Sequence, residues 1–259
     1  MDKPNANQNG HFCWNQIATS DIDKAIVFYS ALFGWEIAKE DLDVEDQMVR
    51  MTHEGDFVVG IQRVDENNSP HWEPYVAISN LEAALTKARE AGGTVLEQPT
   101  DITPYGYMAE VADPVGIKTA LWTADSFAGH GRRPRLNVPR WYTLHHPSSD
   151  YEDGGSDNSA LDFWAKLFDW SLIEKSAEHT LFGGIDGAAF SSIVLPTETR
   201  PPHRGWIVFV AVEDLERTCQ DAMAIDATVV VAPHRLEGLG QFAVLDDPQG
   251  ATFGLVCLD

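Results

Sequence analysis

The chain repeats itself, and the repeat limits the folds open to it. Ala25–Trp35 reads AIVFYSALFGW and Ala160–Trp170 reads ALDFWAKLFDW, sharing Ala, Phe, Leu, Phe and Trp at an offset of 135 residues. Gly106–Leu121, GYMAEVADPVGIKTAL, and Gly240–Leu255, GQFAVLDDPQGATFGL, share Gly, Ala, Asp, Pro, Gly and Leu at an offset of 134. Val76-Ala77-Ile78 and Val210-Ala211-Val212 stand at the same 134. Matches in one order at a near-constant offset describe a tandem duplication with a unit of about 130 residues.

Each unit divides again. Phe12–Ala18 alternates as a strand does. Ser20 is placed to cap a helix, with Asp23 reaching back, and Ile22, Ala25, Phe28, Tyr29, Leu32 and Phe33 fall on one helical face. Gly34 suits the left-handed residue that ends a helix. Glu36–Asp46 is too charged for a core and reads as a strand end and loop, followed by strands at Met48–Thr52 and Asp56–Val64. The order recurs: strand Tyr75–Ser79, cap Asn80, a helical stripe Leu81, Ala84, Leu85, Ala88, Ala91 stopped by Gly92-Gly93, then strands Thr94–Leu96, Gly106–Val111 and Ile117–Trp122. Asp113-Pro-Val-Gly116 forms the last turn, proline presetting φ and glycine supplying a positive φ.

The second unit follows the same plan, with strands from Tyr142–His145 and Trp206–Val212, helices Ala160–Phe168 and Leu215–Ile225, and the turn Asp247-Pro-Gln-Gly250. An insertion, Pro147–Ser159, reads as a surface loop. The fold class is α+β, with four tandem βαβββ modules in two domains, 10–123 and 140–258. Between them, 124–139 is rich in Gly and Pro, carries Arg132, Arg133 and Arg135, and reads as an exposed linker.

Composition excludes several functions. With 44% hydrophobic residues in 259 there is apolar surface for two ordinary cores. Forty acidic against 18 basic residues give a net charge of −22, and both halves are negative, which makes nucleic acid and anionic membrane poor partners. Residues 1–10 are polar and no run of about 18 apolar residues occurs, so the expectation is neither signal peptide nor membrane span. Cys13, Cys219 and Cys257 are odd in number and widely spaced, which argues against a disulfide framework or a cysteine zinc site and for a cytoplasmic protein.

Four strand–helix–three-strand copies in two pairs resemble the vicinal oxygen chelate superfamily, the glyoxalase, bleomycin-resistance and extradiol-dioxygenase group. Trp14–Thr19 followed by Asp21, Phe28–Trp35, Ala91–Gly93, the Asp113-Pro-x-Gly turn and their second-half counterparts carry the likeness. The resemblance implies that paired modules curl into glyoxalase-like half-barrels around a cavity, the expected ligand site. Metal enzymes of this superfamily place one ligand seven residues before the Asp that starts the helix. Here that position is Trp14, with Trp141 as its counterpart. Another stands near the end of the last strand, here Ala120 and Gly254. Indole, methyl and hydrogen cannot coordinate a divalent cation.

The residues therefore suggest a protein that binds a small apolar or aromatic molecule, its usual metal site lost. Trp14, Gln16, Tyr75, Trp141 and Thr143 are candidate cavity walls. His145 shares the face of Trp141 and Thr143 and is the candidate acid–base residue. No cofactor is expected, although a divalent metal remains open: if one is present, the alternating His71 and Glu73 are the candidate ligands, with Gln16 or His145 as partners. That alternative is a glyoxalase-like lyase or isomerase with a rearranged metal site. His203 is a further histidine, and His146 points to the other face. A third reading gives the chain a structural or partner-binding role with closed cavities. Gly183-Gly184-x-x-Gly187 lacks the strand-to-helix context of a dinucleotide fingerprint. The first module can pair with the second or with the fourth, so the chain is a monomeric pseudo-dimer or forms a homodimer.

Overall fold

A computed structural model describes residues 9–41, 48–130, 135–145, 159–175, 179–183, 189–194, 205–236 and 240–258. The first domain runs β1 (Phe12–Thr19), α1 (Ile22–Phe33), β2 (Glu36–Ile37), β3 (Met48–His53), β4 (Asp56–Arg63), β5 (His71–Ala77), α2 (Leu81–Glu90), β6 (Thr94–Ile102), β7 (Gly106–Ala112) and β8 (Lys118–Ala124). The second repeats it: β9 (Pro139–His145), α3 (Ser159–Phe168), β10 (Ser171–Lys175), β11 (His179–Gly183), β12 (Ala189–Val194), β13 (Gly205–Ala211), α4 (Leu215–Met223), β14 (Thr228–Leu236), β15 (Gly240–Asp246) and β16 (Thr252–Cys257). The four βαβββ modules are thus present. No described helix is long and apolar enough to cross a membrane.

The modules pair first with second and third with fourth. Each pair builds one eight-stranded sheet, β2-β3-β4-β1-β5-β8-β7-β6 and β10-β11-β12-β9-β13-β16-β15-β14. The two opening strands of a pair meet antiparallel at its centre, as in β1 with β5, and each lies parallel to its own module's last strand.

Local chemistry accounts for the ends of the elements, with some departures from expectation. Asp21, not Ser20, caps α1: it sits in extended backbone and its carboxylate accepts from the Lys24 amide at 3.1 Å. Gly34 ends that helix at φ 69°, and Asp169 takes the same left-handed conformation at the matching place after α3. Strand β5 begins at His71, upstream of Pro74. Pairing with β8 covers only Tyr75–Ala77, so β5 has one open side at Pro74, where a proline is accommodated. Strand β6 extends to Ile102 through register shifts against β7. His146, His203, Arg132, Arg133, Gly184, Gly187 and residues 147–158 of the insertion lie outside the described residues; Ser159 already belongs to α3.

One face of each sheet joins a core shared by both domains, including Ile17, Met51, Ile61, Trp72 and Leu121 from the first and Leu144, Trp206, Phe253 and Leu255 from the second. The helices that open each domain cross over to the other. Phe28 and Tyr29 of α1 pack edge-on against Phe253 of β16, with centroids at 6.0 and 5.8 Å. The Tyr29 hydroxyl donates to Asp247 at 2.9 Å, and the equivalent Trp164 of α3 donates through Nε1 to Asp113 at 3.0 Å. Trp35 donates to the Asn137 carbonyl and Trp170 to the Gly10 carbonyl, each at 2.6 Å. Both Asp-Pro-x-Gly turns are thereby fastened to the opposite domain.

Candidate functional site

The other face of the first sheet encloses a cavity of about 390 Å³. Side chains two residues apart supply its wall: Trp14 and Gln16 from β1, Glu73 and Tyr75 from β5, Ala120 and Trp122 from β8, Met108 and Glu110 from β7, Met48 and Arg50 from β3. Glu97 and Ile102 of β6 also reach it. In a flat sheet β3 and β6 would stand about 29 Å apart, whereas this volume is roughly 9 Å across, so contact with both strands requires the sheet to curl round the cavity.

Aromatic rings make most of the apolar surface. Trp14 and Tyr75 are directly opposite across β1 and β5, and Tyr75 in turn lies beside Ala120. The Trp14 indole covers Gly60, where a Cβ would stand 3.5 Å from the ring. Trp122 and Tyr105 complete this wall with Phe127. The sequence leaves the direction of Trp14 open; in the fold it faces the cavity.

Phe127 belongs to the segment read as an exposed linker, and that reading needs correction. Phe127 to His130, with Arg135, pack back against the first sheet. Trp122 Nε1 donates to the Phe127 carbonyl at 2.9 Å, the His130 amide to the Cys13 carbonyl at 2.8 Å, and Arg135 pairs with Asp56 at 2.7 Å. Gly129 permits this approach. It has φ 91°, and a Cβ there would stand 1.9 Å from the Cys13 oxygen. Phe127 is thus held edge-on to Trp14, at 4.9 Å between centroids.

Polar groups interrupt the aromatic surface at set places. Tyr75 donates to Gln16 Oε1 at 3.0 Å, and Gln16 Nε2 donates to Gln62 Oε1 at 2.6 Å. Arg50 forks onto Asp41 at 2.6 and 3.0 Å while its guanidinium lies over Phe57 and Tyr105. Desolvation pushes the Glu73 carboxyl up to about 7, and the neighbouring carboxylates of Glu110 and Glu97 push the same way against Lys118. Burial also raises the Tyr75 hydroxyl and the Cys13 thiol well above their ordinary values.

Of the candidate residues, the fold brings Trp14, Gln16, Glu73 and Tyr75 together at this cavity. His71 shares their strand face but sits exposed at the strand end, its Nδ1 2.9 Å from the Ser69 carbonyl. Trp141, Thr143 and His145 lie on β9 in the other sheet, where buried Thr143 and His145 are in contact, Oγ1 to Nε2, at 2.9 Å. There Phe209 occupies the place of Tyr75, and its ring lies so close to Gly254 that a Cβ would stand 2.1 Å away. Sequence reasoning missed Glu97, Glu110, Arg50, Tyr105, Trp122 and Phe127. Trp122 was within reach, two residues beyond Ala120 on the same strand face.

At Trp14 and Ala120, two of the positions that the resemblance implies for metal ligands, neither side chain offers a donor atom. Among the described residues no group of three or more His, Cys, Asp and Glu side chains is placed to hold a metal. These two residues supply no ligand to such an ion.

Comparison with known proteins agrees with this architecture. A family model described as "Glyoxalase-like domain" matches residues 14–121, and another, "Glyoxalase/Bleomycin resistance protein/Dioxygenase superfamily", matches residues 155–255. "Putative glyoxylase CFP32" of Mycobacterium tuberculosis is 28% identical over 99% of this chain and 98% of its own length. "Anthracycline biosynthesis protein DnrV" of Streptomyces peucetius is 24% identical over 94% of this chain and 91% of its own. The Mn(II)-bound glyoxalase from Novosphingobium aromaticivorans superposes with a TM-score of 0.65 at 17% identity, covering 97% of this chain and 83% of that one. The 2,3-dioxygenase LapB from Pseudomonas sp. KL28 gives 0.64 at 14% identity, over 95% and 91%. These two likenesses concern the fold.

Proposed function

The chain belongs to the glyoxalase/bleomycin resistance protein/dioxygenase superfamily, and on that premise we propose that its first half-barrel binds a small planar, largely aromatic molecule without the superfamily's usual metal. One observation carries the reading: Trp14, at a metal-ligand position of the superfamily, forms a wall of a 390 Å³ cavity together with Tyr75, Tyr105, Trp122 and Phe127. Cavities of this size and apolar character suit drug-sized ligands, and flat rings favour a flat partner. Gln16, tied to Tyr75 and Gln62, orients the ligand through its amide.

Purified protein then carries no stoichiometric divalent metal by elemental analysis. Acridine, a planar molecule that is neutral at pH 8, quenches tryptophan fluorescence saturably, and Trp14→Ala weakens its binding about tenfold. Failure of every planar aromatic probe, acridine included, to bind with the cavity intact would sink the reading.

A second reading has one observation in its favour, the three glutamates on the cavity wall. It makes the chain a glyoxalase-like lyase or isomerase with a rearranged metal site that includes Glu73. A stoichiometric divalent ion lost in Glu73→Gln would favour it over the first. The crossed hydrogen bonds between the domains give a single chain both halves of a pseudo-dimer, which supports a monomer, testable by sedimentation.

A further inference from the structure

One row of side chains crosses the first sheet from Trp14 through Tyr75, Ala120 and Glu110 to Glu97, each directly opposite the next. Two carboxylates face each other at the end of that row, an arrangement that destabilises a sheet when nothing lies between them. Glu73 adds a third carboxylate to the same cavity.

The nearby cations do not balance them. Arg50 on β3 is spent on Asp41. Lys118 on β8 stands 3.5 Å from Glu110 and is largely exposed, with 62% of its side chain accessible. Among the described residues no salt bridge reaches Glu73 or Glu97; Glu97 accepts from the Thr100 hydroxyl at 2.8 Å. Tyr75 and Gln16 are uncharged neighbours. The cavity therefore joins an aromatic wall to an excess of negative charge, two features that attract the same kind of group.

We infer that the first cavity is specific for a planar aromatic cation, its rings against Trp14, Trp122 and Phe127 and its positive group against Glu73, Glu97 and Glu110. The inference rests on the ligand-binding reading above and adds the charge of the ligand. Binding a cation also draws the Glu73 carboxyl toward its ionised form.

The test compares three probes at pH 8 by tryptophan quenching: 9-aminoacridine, a planar cation; acridine, its neutral counterpart; and anthraquinone-2-sulfonate, a planar anion. The cation binds at least about tenfold tighter than acridine, and the anion is weakest. Glu73→Gln/Glu110→Gln reduces the ratio of cation to neutral binding to within about twofold. Because the whole chain is acidic, Glu82→Gln/Glu90→Gln on the exposed face of α2 removes the same charge elsewhere and keeps the ratio. Should the first pair of changes prevent folding, judged by circular dichroism, Glu97→Gln alone lowers the ratio at least threefold. Equal binding of cation and neutral probe, a preference that survives loss of the cavity carboxylates, or one lost equally in the α2 control overturns the inference and leaves the ligand-binding reading standing. Binding of no probe overturns both.

Discussion

The hydroxyl of Tyr29 donates to a carboxylate oxygen of Asp247, 218 residues further along the chain, and itself accepts from Trp72 Nε1 at 3.0 Å. One buried phenol thus ties the first helix to the last turn of the second domain and satisfies the indole of its own domain. Trp164 and Asp113 make the reciprocal connection, with Trp206 donating to Thr119 at 2.6 Å.

Tyr29→Phe removes an acceptor from Trp72 and a donor from Asp247 without changing the ring. Leaving two buried groups short of a partner costs about 2 kcal/mol. The expected fall in melting temperature is about 4–8 °C. A double-mutant cycle with Asp247→Asn measures the coupling; additive losses would show that the bond between the domains contributes nothing.

Gly129→Ala forces a Cβ toward the Cys13 carbonyl at a positive φ. The segment must move, at a cost of roughly 1–3 kcal/mol. Phe127 moves with it, so acridine binding weakens as well as the fold. A change in stability alone, with unaltered binding, would separate Phe127 from the ligand.

Phe127→Ala opens the side of the cavity that the linker covers. The ring touches Trp14, Phe57, Tyr105 and Trp122 within 6.5 Å between centroids. Acridine dissociates about tenfold faster from this variant in stopped-flow quenching, with little change in association.

Glu73 makes stability depend on pH. Its carboxyl titrates at about 7 in the folded chain and near the ordinary value of 4.5 when unfolded. The folded state therefore holds the extra proton between those values. The contribution is fully present below pH 4.5, is lost as pH rises through 7, and stays constant above it. Desolvation by burial is its main cause, with Glu110 and Glu97 adding to it and Lys118 opposing it. Urea unfolding of Glu73→Gln should equal the parent at pH 4.5 and exceed it at pH 8 by on the order of 1 kcal/mol, after allowance for solvent screening. Equal stability at both values would mean that Glu73 is well solvated.

Much of this fold is legible in the linear chain because it depends on short-range patterns. Alternation places Trp14, Gln16, Glu73 and Tyr75 on common strand faces, and the helical stripe from Ile22 to Phe33 predicts the buried side of α1, where Ile22, Ala25, Phe28, Tyr29 and Phe33 are buried. The repeat offset also anticipates that Tyr29 and Trp164, or Asp113 and Asp247, play matching parts.

What the chain alone leaves open is which of its surfaces meet. Either pairing of modules would bury the same apolar stripes, so periodicity cannot choose between them; the hydrogen-bond ladder of β1 with β5 does. Nor does a polar linker announce that Phe127 will turn into a cavity, since that depends on close backbone contact at Gly129. Glu97 and Glu110 are ordinary strand residues until β6 and β7 curl toward β1. Local sterics and hydrophobic spacing act over a few residues and are written in sequence. The shape and charge of the cavity arise from groups more than 80 residues apart, and only the closed sheet brings them within range of one another.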